Sequence, residues 1–282
     1  MNFIQILLLA LIQGAAELLP VSSSAHVIVA EKLLGLDPSK PEMTFLLVML
    51  HTGTMFAMIA YFWRAWRDRY FSSAAAFRRI AIPTVIATGL TGVIGYAIIH
   101  LIEKAFLGNR DIEELFSNLP LIGAALGAGG FLIIWAGRQR ERGPGGQALG
   151  WREGCWIGAV QGLCLPFRGF SRSGATISVG LLRGIDKARA EEFSFALAVL
   201  VTPPVIGREL LRLFKAHSNA VSPLHFFPLF GPGVVGMACS FGAGLLALKL
   251  LSRLLETGRW TWFGYYCLAA AMGVCLLAYA GG

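Results

Sequence analysis

Two short stretches of this 282-residue chain gather the side chains that phosphate chemistry uses. The first runs from Gln13 through Glu17, Pro20, Ser22, Ser23 and Ser24 to His26. Gln13 and Glu17 are four residues apart, so they share one face of a short helix. Pro20 ends that helix, and the serines after it are good N-caps for the next one. His26 follows Ser23 by three residues and Ser22 by four, within reach of the same turn. The second stretch is Ser171-Arg172-Ser173-Gly174-Ala175-Thr176, which likewise opens a helix. Two helix N-termini that converge offer backbone N–H groups and partial positive charge, a setting that suits a phosphate. Arg172 adds a planar fork matched to two phosphate oxygens.

The rest of the chain must hold these polar groups in an apolar setting. Hydrophobic residues make up 56% of the sequence and charged ones only 14%, with mean hydropathy +0.65. A soluble domain carries about 25% charged residues, so a cytosolic enzyme, a disordered chain and a disulfide scaffold are excluded. A polytopic membrane protein remains. Six segments are long and apolar enough to span a bilayer: 43–63, 80–101, 119–136, 193–214, 226–250 and 260–280. The stretches 3–35 and 154–184 are apolar too, but each is broken by polar residues at its middle. Such a break reads as a re-entrant hairpin, tolerated where protein or a cavity surrounds it. The expected fold is therefore an all-α integral membrane protein with six transmembrane helices and two re-entrant helical hairpins.

The hairpins also match each other. Ile12-Gln13-Gly14, Leu19-Pro20 and Ser22-Ser23-Ser24 are echoed by Val160-Gln161-Gly162, Leu165-Pro166 and Ser171-Arg172-Ser173. Each hairpin precedes three spans. Three is odd, so the second copy is expected upside down, in an inverted-topology repeat of about 1–136 and 153–280 within one membrane domain. Inverted repeats of broken helices place their site near the midplane.

Charge orients this layout. The net charge of +8 is split among short loops, which argues against nucleic acid. Loops 64–79, 137–152, 183–191 and 251–259 hold 14 Lys and Arg, against 7 in 31–42, 102–118 and 208–225. The richer set reads as cytoplasmic, with both termini outside. The five cysteines, Cys155, Cys164, Cys239, Cys267 and Cys275, lie in apolar stretches without a C-x-x-C pair and read as small buried hydrophobes. The N-terminus lacks a basic n-region and reads as retained structure.

The first stretch, with Gln13, Glu17, Pro20-Val21-Ser22-Ser23 and His26, resembles the (E/Q)-x-x-x-E and P-V-S-S-x-x-H motif of undecaprenyl-diphosphate phosphatases. Gly169-Phe170-Ser171-Arg172-Ser173-Gly174-Ala175-Thr176 resembles their P-G-x-S-R-S-G-x-T motif, and the run from Glu192 to Ala198 resembles the stretch after it. The resemblance covers essentially the whole chain. It implies a hydrolase of the bacterial inner membrane that removes one phosphate from undecaprenyl diphosphate. That reaction recycles the lipid carrier for peptidoglycan synthesis and underlies bacitracin resistance. It also implies a divalent cation, magnesium or calcium, a polyprenyl diphosphate lipid as partner, and room for a homodimer. Carried over residue by residue, the catalytic positions are Glu17, Ser23, His26 and Arg172. The substrate-binding positions are Gln13, Ser22, Ser171, Ser173 and Thr176, with the cation on Glu17 and Gln13. Two departures stand out: the first acidic position is the neutral Gln13, and Pro166-Phe-Arg-Gly169 carries one residue more than the motif, adding Arg168.

The residues alone leave the nucleophile open among Ser23, His26 and a metal-activated water. Ser23 activated by His26 is the expected arrangement, with Ser23 activated by Glu17 beside it. His51 reads as a packed histidine, with a place near the site as its other reading. A plainer reading makes the serines helix caps and Glu17–Arg172 a structural pair. However, a charge at bilayer depth costs about 2.5–3.5 kcal/mol, and Glu17, His26, Arg168 and Arg172 all fall in the two breaks. A transporter or flippase of the phosphorylated lipid would use the same repeat and anion site. Type-2 phosphatidic acid phosphatases need a second histidine after Ser-Arg, and none lies between Arg172 and Lys215. The inverted layout is tested by single cysteines in a background without the native five. Lys40→Cys is expected to be labelled from outside only and Gln147→Cys from the cytoplasm only; labelling of both from one face would contradict it.

Overall fold

The computed structural model of the chain describes residues 2–37, 40–108, 112–139, 149–218 and 226–280, with side chains described outside 41, 113 and 212–229. Portions of the expected loops 31–42, 102–118, 137–152 and 208–225 thus lie outside the described residues. Everything described is helix or connection. The order is α1 (Phe3–Leu18), α2 (Ser23–Leu33), α3 (Pro41–Tyr70), α4 (Ala74–Ala105), a 3₁₀ turn (Ile112–Ser117), α5 (Leu119–Arg138), α6 (Trp151–Cys164), α7 (Arg172–Leu182), α8 (Lys187–Ser218), α9 (Phe226–Glu256) and α10 (Thr261–Ala280). Six of these, α3, α4, α5, α8, α9 and α10, are long and apolar enough to cross a membrane. They are the six segments read from the sequence. Val85, Val93, Leu246 and Leu276 on their outer faces are each about two-thirds or more exposed, an arrangement suited to lipid contact.

Helix ends follow local chemistry. Asn2 and Gln5 cap α1 reciprocally, each side chain taking the other's backbone N–H at 2.8 Å. Leu19 before Pro20 is extended, φ −77° and ψ 151°, the region that a following proline enforces. Ser73, Asn118 and Asp186 cap α4, α5 and α8 with side-chain oxygens. Several helices outrun the apolar segments. α3 continues to Tyr70 and α4 begins at Ala74, so most of the expected loop 64–79 is helical. Polar side chains end an apolar run without ending a helix, because the backbone satisfies itself wherever the chain goes.

The short helices set the architecture. At 11 residues, α2 and α7 are about 16 Å long, half of a hydrocarbon core of about 30 Å. Each packs against the helix before it, giving the pairs α1–α2 and α6–α7. Long-range packing crosses between the halves: α1 lies against α9, α6 against α4, and α5 against α10. Glycines make all three of these approaches close, Gly130 and Gly264 facing each other between α5 and α10. A Cβ on Gly14 of α1 would stand 2.6 Å from the Ser240 carbonyl oxygen of α9. One on Gly158 of α6 would stand 2.5 Å from that of Ala87 on α4. Elsewhere α3, α8 and α9 meet around buried Phe62, Trp66, Phe193 and Phe195. Arg69 pairs with Glu192 at 2.9 Å, and Ser252 donates to Glu191 at 2.6 Å while accepting from Tyr61 at 2.9 Å.

The Gly158 contact yields a direct test of packing. Gly158→Ala forces α6 off α4, an overpacking that costs about 1–3 kcal/mol, and is expected to lower the melting temperature of the purified protein. Gly89→Ala on α4, where an added Cβ meets nothing within 4 Å, is expected to leave it unchanged.

Candidate active site

Glu17, next to last in α1, is where the two hairpins meet. Its side chain is 15% exposed. Oε1 accepts from Arg172 Nη2 at 3.0 Å, and Oε2 accepts from Ser23 Oγ at 2.5 Å and from Gln13 Nε2 at 3.2 Å. Gln13 lies one turn back on α1, and the Pro20 turn returns the chain so that Ser23, the first residue of α2, comes back to Glu17. Arg172 is the first residue of α7. In the two sequence copies Ser23 and Arg172 occupy matching positions, and they take opposite oxygens of one carboxylate.

The turns that deliver these side chains are unusual. Ser22 adopts φ 67° and ψ 95°, a left-handed conformation that costs a residue with a side chain about 1–3 kcal/mol. Its hydroxyl makes no cap bond and pairs instead with that of Ser24 at 3.2 Å. In the second hairpin Gly169 has φ 106°, and a Cβ there would collide with the Ile122 carbonyl oxygen. Ser171 then caps α7, accepting the Gly174 N–H at 3.2 Å. Ser173 donates to the Leu19 carbonyl of the first hairpin at 3.3 Å, tying the two turns together.

Arg172 spends only part of its fork on Glu17. Its Nη1 is buried and without a hydrogen-bond partner, a donor held ready for an anion. Gln161, the match of Gln13 in the second hairpin, is 1% exposed and has neither amide atom partnered. Thr176 lies in the second turn of α7. Its hydroxyl donates to the Arg172 carbonyl at 2.8 Å and pairs with Ser194 of α8 at 2.6 Å, so it braces the start of α7. Arg168 stacks over Phe116, 4.3 Å from the ring centroid.

The expected pairing of Ser23 with His26 is not the one found. Ser23 is turned onto Glu17, while His26 Nδ1 meets the Ser22 carbonyl at 2.8 Å and Nε2 meets the Tyr266 hydroxyl of α10 at 2.7 Å. The carboxylate lies on one side of the first turn of α2 and the phenol on the other, and each takes the neighbour it reaches. The histidine beside Glu17 is His51 of α3, whose Nε2 is 3.9 Å from Oε2 and whose Nδ1 meets the Leu47 carbonyl at 2.8 Å. A histidine inside a span is a costly polar group, and its contact with Glu17 agrees with the second of its two readings from the sequence. Tyr266, in an aromatic run at the chain's end, carries no such signal.

The chemistry available is clear from this geometry. One carboxylate orients a serine hydroxyl, and one guanidinium is anchored with a free arm. Among the described residues no group of three or more His, Cys, Asp and Glu could cage a metal. A carboxylate has about four lone-pair sites; the three hydrogen bonds on Glu17 leave one, and Gln13 has a carbonyl oxygen. That donor set fits a magnesium-type ion completed by phosphate oxygens and water.

The comparisons agree with these motifs. The family model described as "Bacitracin resistance protein BacA" matches residues 6–273. Undecaprenyl-diphosphatase 2 of Acinetobacter baylyi is 54% identical over 283 residues, covering 99% of each chain. The undecaprenyl-diphosphatases of Desulfosudis oleivorans and Rhodopirellula baltica are 34% and 31% identical, over 95% and 98% of each chain. A six-span helical protein with a polar centre built by two broken hairpins, it belongs to the bacitracin resistance protein BacA family.

Proposed function

We infer that the chain is a multi-pass membrane phosphatase that hydrolyses undecaprenyl diphosphate to undecaprenyl phosphate and phosphate. It acts in the bacterial inner membrane, recycling the peptidoglycan lipid carrier and conferring bacitracin resistance. The observation that carries the reading is the Glu17 carboxylate, bonded to Ser23 on one oxygen and to Arg172 on the other. The names of the relatives supply the substrate.

Ser23 Oγ is the nucleophile and Glu17 its base. As Oγ bonds to the terminal phosphorus, its proton passes to Glu17 Oε2 and the bond to the bridging oxygen breaks. Undecaprenyl phosphate leaves; water then bonds to the seryl phosphorus as the bond from Oγ breaks, Glu17 returns its proton to Oγ, and the water's protons leave on the released phosphate. Arg172, oriented by Glu17, donates from Nη1 to a non-bridging oxygen, where charge is concentrated in transfer. The N-termini of α2 and α7 add partial positive charge. Ser22, Ser171 and Ser173 shape the turns that hold the phosphate. A divalent cation held by Glu17 and Gln13 would neutralise diphosphate oxygens.

The purified protein in detergent is expected to release phosphate from undecaprenyl diphosphate; a flippase would release none, for detergent offers no second compartment. Chelation by EDTA is expected to stop release and magnesium to restore it, while Glu17→Gln, which removes the base of Ser23 as well as a carboxylate ligand, is expected to lose about 10²-fold or more in kcat even at saturating magnesium. Arg172→Lys is expected to lose about 10²-fold in kcat with an unchanged melting temperature, because a point charge cannot hold Glu17 and a phosphate together. Wild-type turnover in that variant would remove Arg172 from the site.

A further inference from the structure

His26 stands apart from the carboxylate cluster, and its surroundings define a second side to the site. Its Nδ1 faces the Ser22 carbonyl, which can only accept, so Nδ1 carries a proton and, in the neutral ring, Nε2 presents a lone pair. The Tyr266 hydroxyl donates to that lone pair at 2.7 Å. The two rings also stack, with centroids 5.6 Å apart and planes 12° from parallel. The imidazole is thus held through both nitrogens and one face. His26 further lines an apolar cleft of about 480 Å³, walled by Ile12, Val29, Leu33, Leu126, Val274 and Leu277. Three residues earlier on α2, Ser23 is turned the other way, onto Glu17. The first turn of α2 therefore separates a charged side, fit for the terminal phosphate, from an apolar side, fit for the lipid end of the anhydride.

We propose that Tyr266 is a further catalytic residue, a relay that passes a proton from His26 to the prenyl phosphate as it departs. The proposal rests on the phosphatase reading above. When the bond from the terminal phosphorus to the bridging oxygen breaks, the electron pair stays on that oxygen, at the lipid end. With His26 protonated on both nitrogens, Nε2–H donates to the phenol oxygen and turns the Tyr266 O–H outward to the substrate. The phenol proton moves to the prenyl phosphate as the Nε2 proton moves to the phenol oxygen. His26 is left neutral, in the tautomer described, and recovers its proton from water. Tyr266 suits this role because it is half exposed, it comes from α10 rather than from either hairpin, and its ring position is fixed by the stack.

The test is Tyr266→Phe, which removes the hydroxyl and keeps the ring. It is expected to lower kcat about tenfold or more, the scale of one productive hydrogen bond or proton transfer, with KM and melting temperature near wild type. The His26→Ala/Tyr266→Phe double variant should be no slower than His26→Ala alone. An unchanged kcat, or losses that multiply in the double variant, would overturn the relay. A readout free of turnover accompanies these. Carbethoxylation of His26 by diethyl pyrocarbonate, followed on its peptide by mass spectrometry, should quicken severalfold in Tyr266→Phe as Nε2 loses its donor; an equal rate would overturn the contact. Absence of phosphate release by wild type would defeat the phosphatase reading alone, and the modification rates would still judge the His26–Tyr266 pair.

Discussion

A single carboxylate holds the centre of this molecule together. Glu17 binds Ser23 from its own hairpin and Arg172 from the other, and each contact uses a different oxygen. Taking either charge alone into a largely apolar surround costs several kcal/mol, and the loss is recovered only with good geometry and further hydrogen bonds. Gln13 provides one of those bonds, and Ser23 another. The pair is consequently conditional on both hairpins being in place. The close approach of α1 to α9 at Gly14 and of α6 to α4 at Gly158 is what puts them there. Packing of small residues in the scaffold and charge pairing at its centre are thus two ends of one chain of cause.

The same constraint explains why the site is lopsided although the hairpins match. Gln13 and Gln161 correspond, as do Ser23 and Arg172, yet four residues after Gln161 stands Leu165 where Glu17 stands after Gln13. A second carboxylate would repel the first and the diphosphate alike. With one carboxylate, Arg172 is anchored by a single bond and its Nη1 is left without a partner. The left-handed Ser22 and the tight Gly169 turn are local costs of bringing two helix starts to one point. Strain gathers where function needs an awkward geometry and the surroundings enforce it.

How much of this could be read from the sequence depends on the range of the forces involved. The six spans were legible because a bilayer demands about 20 apolar residues, a requirement each segment meets by itself. The broken hairpins were legible for the same reason, since Pro20 and the serines interrupt runs that otherwise qualify. Helix ends such as Tyr70 and Ala74 were not, because composition marks the edge of the hydrocarbon and not the end of a backbone hydrogen-bond ladder. Among the site residues, the Gln13–Glu17 contact follows from helical spacing. The partner of Ser23 did not, for Glu17 and His26 are both close in sequence and only the rotation of α2 decides between them. His51 and Tyr266 enter from α3 and α10, and no local pattern ties either to the hairpins.

That rotation of α2 has a consequence for how one site handles a molecule with two unlike ends. A polyprenyl diphosphate is densely charged at its tip and wholly apolar beyond its first phosphate. A uniformly polar pocket would strand the lipid, and a uniformly apolar one would leave the phosphates unsatisfied. Over its first turn α2 turns Ser23 toward Glu17 and Arg172, and His26 toward Tyr266 and the apolar cleft. Four residues of one helix, Ser23 to His26, span the change from one solvent to the other. The scissile bond of such a substrate stands at the same change from charged to apolar, so a partition that bound it in the proposed way would also align it. Binding and orientation then come from the same contacts, without a separate device for each.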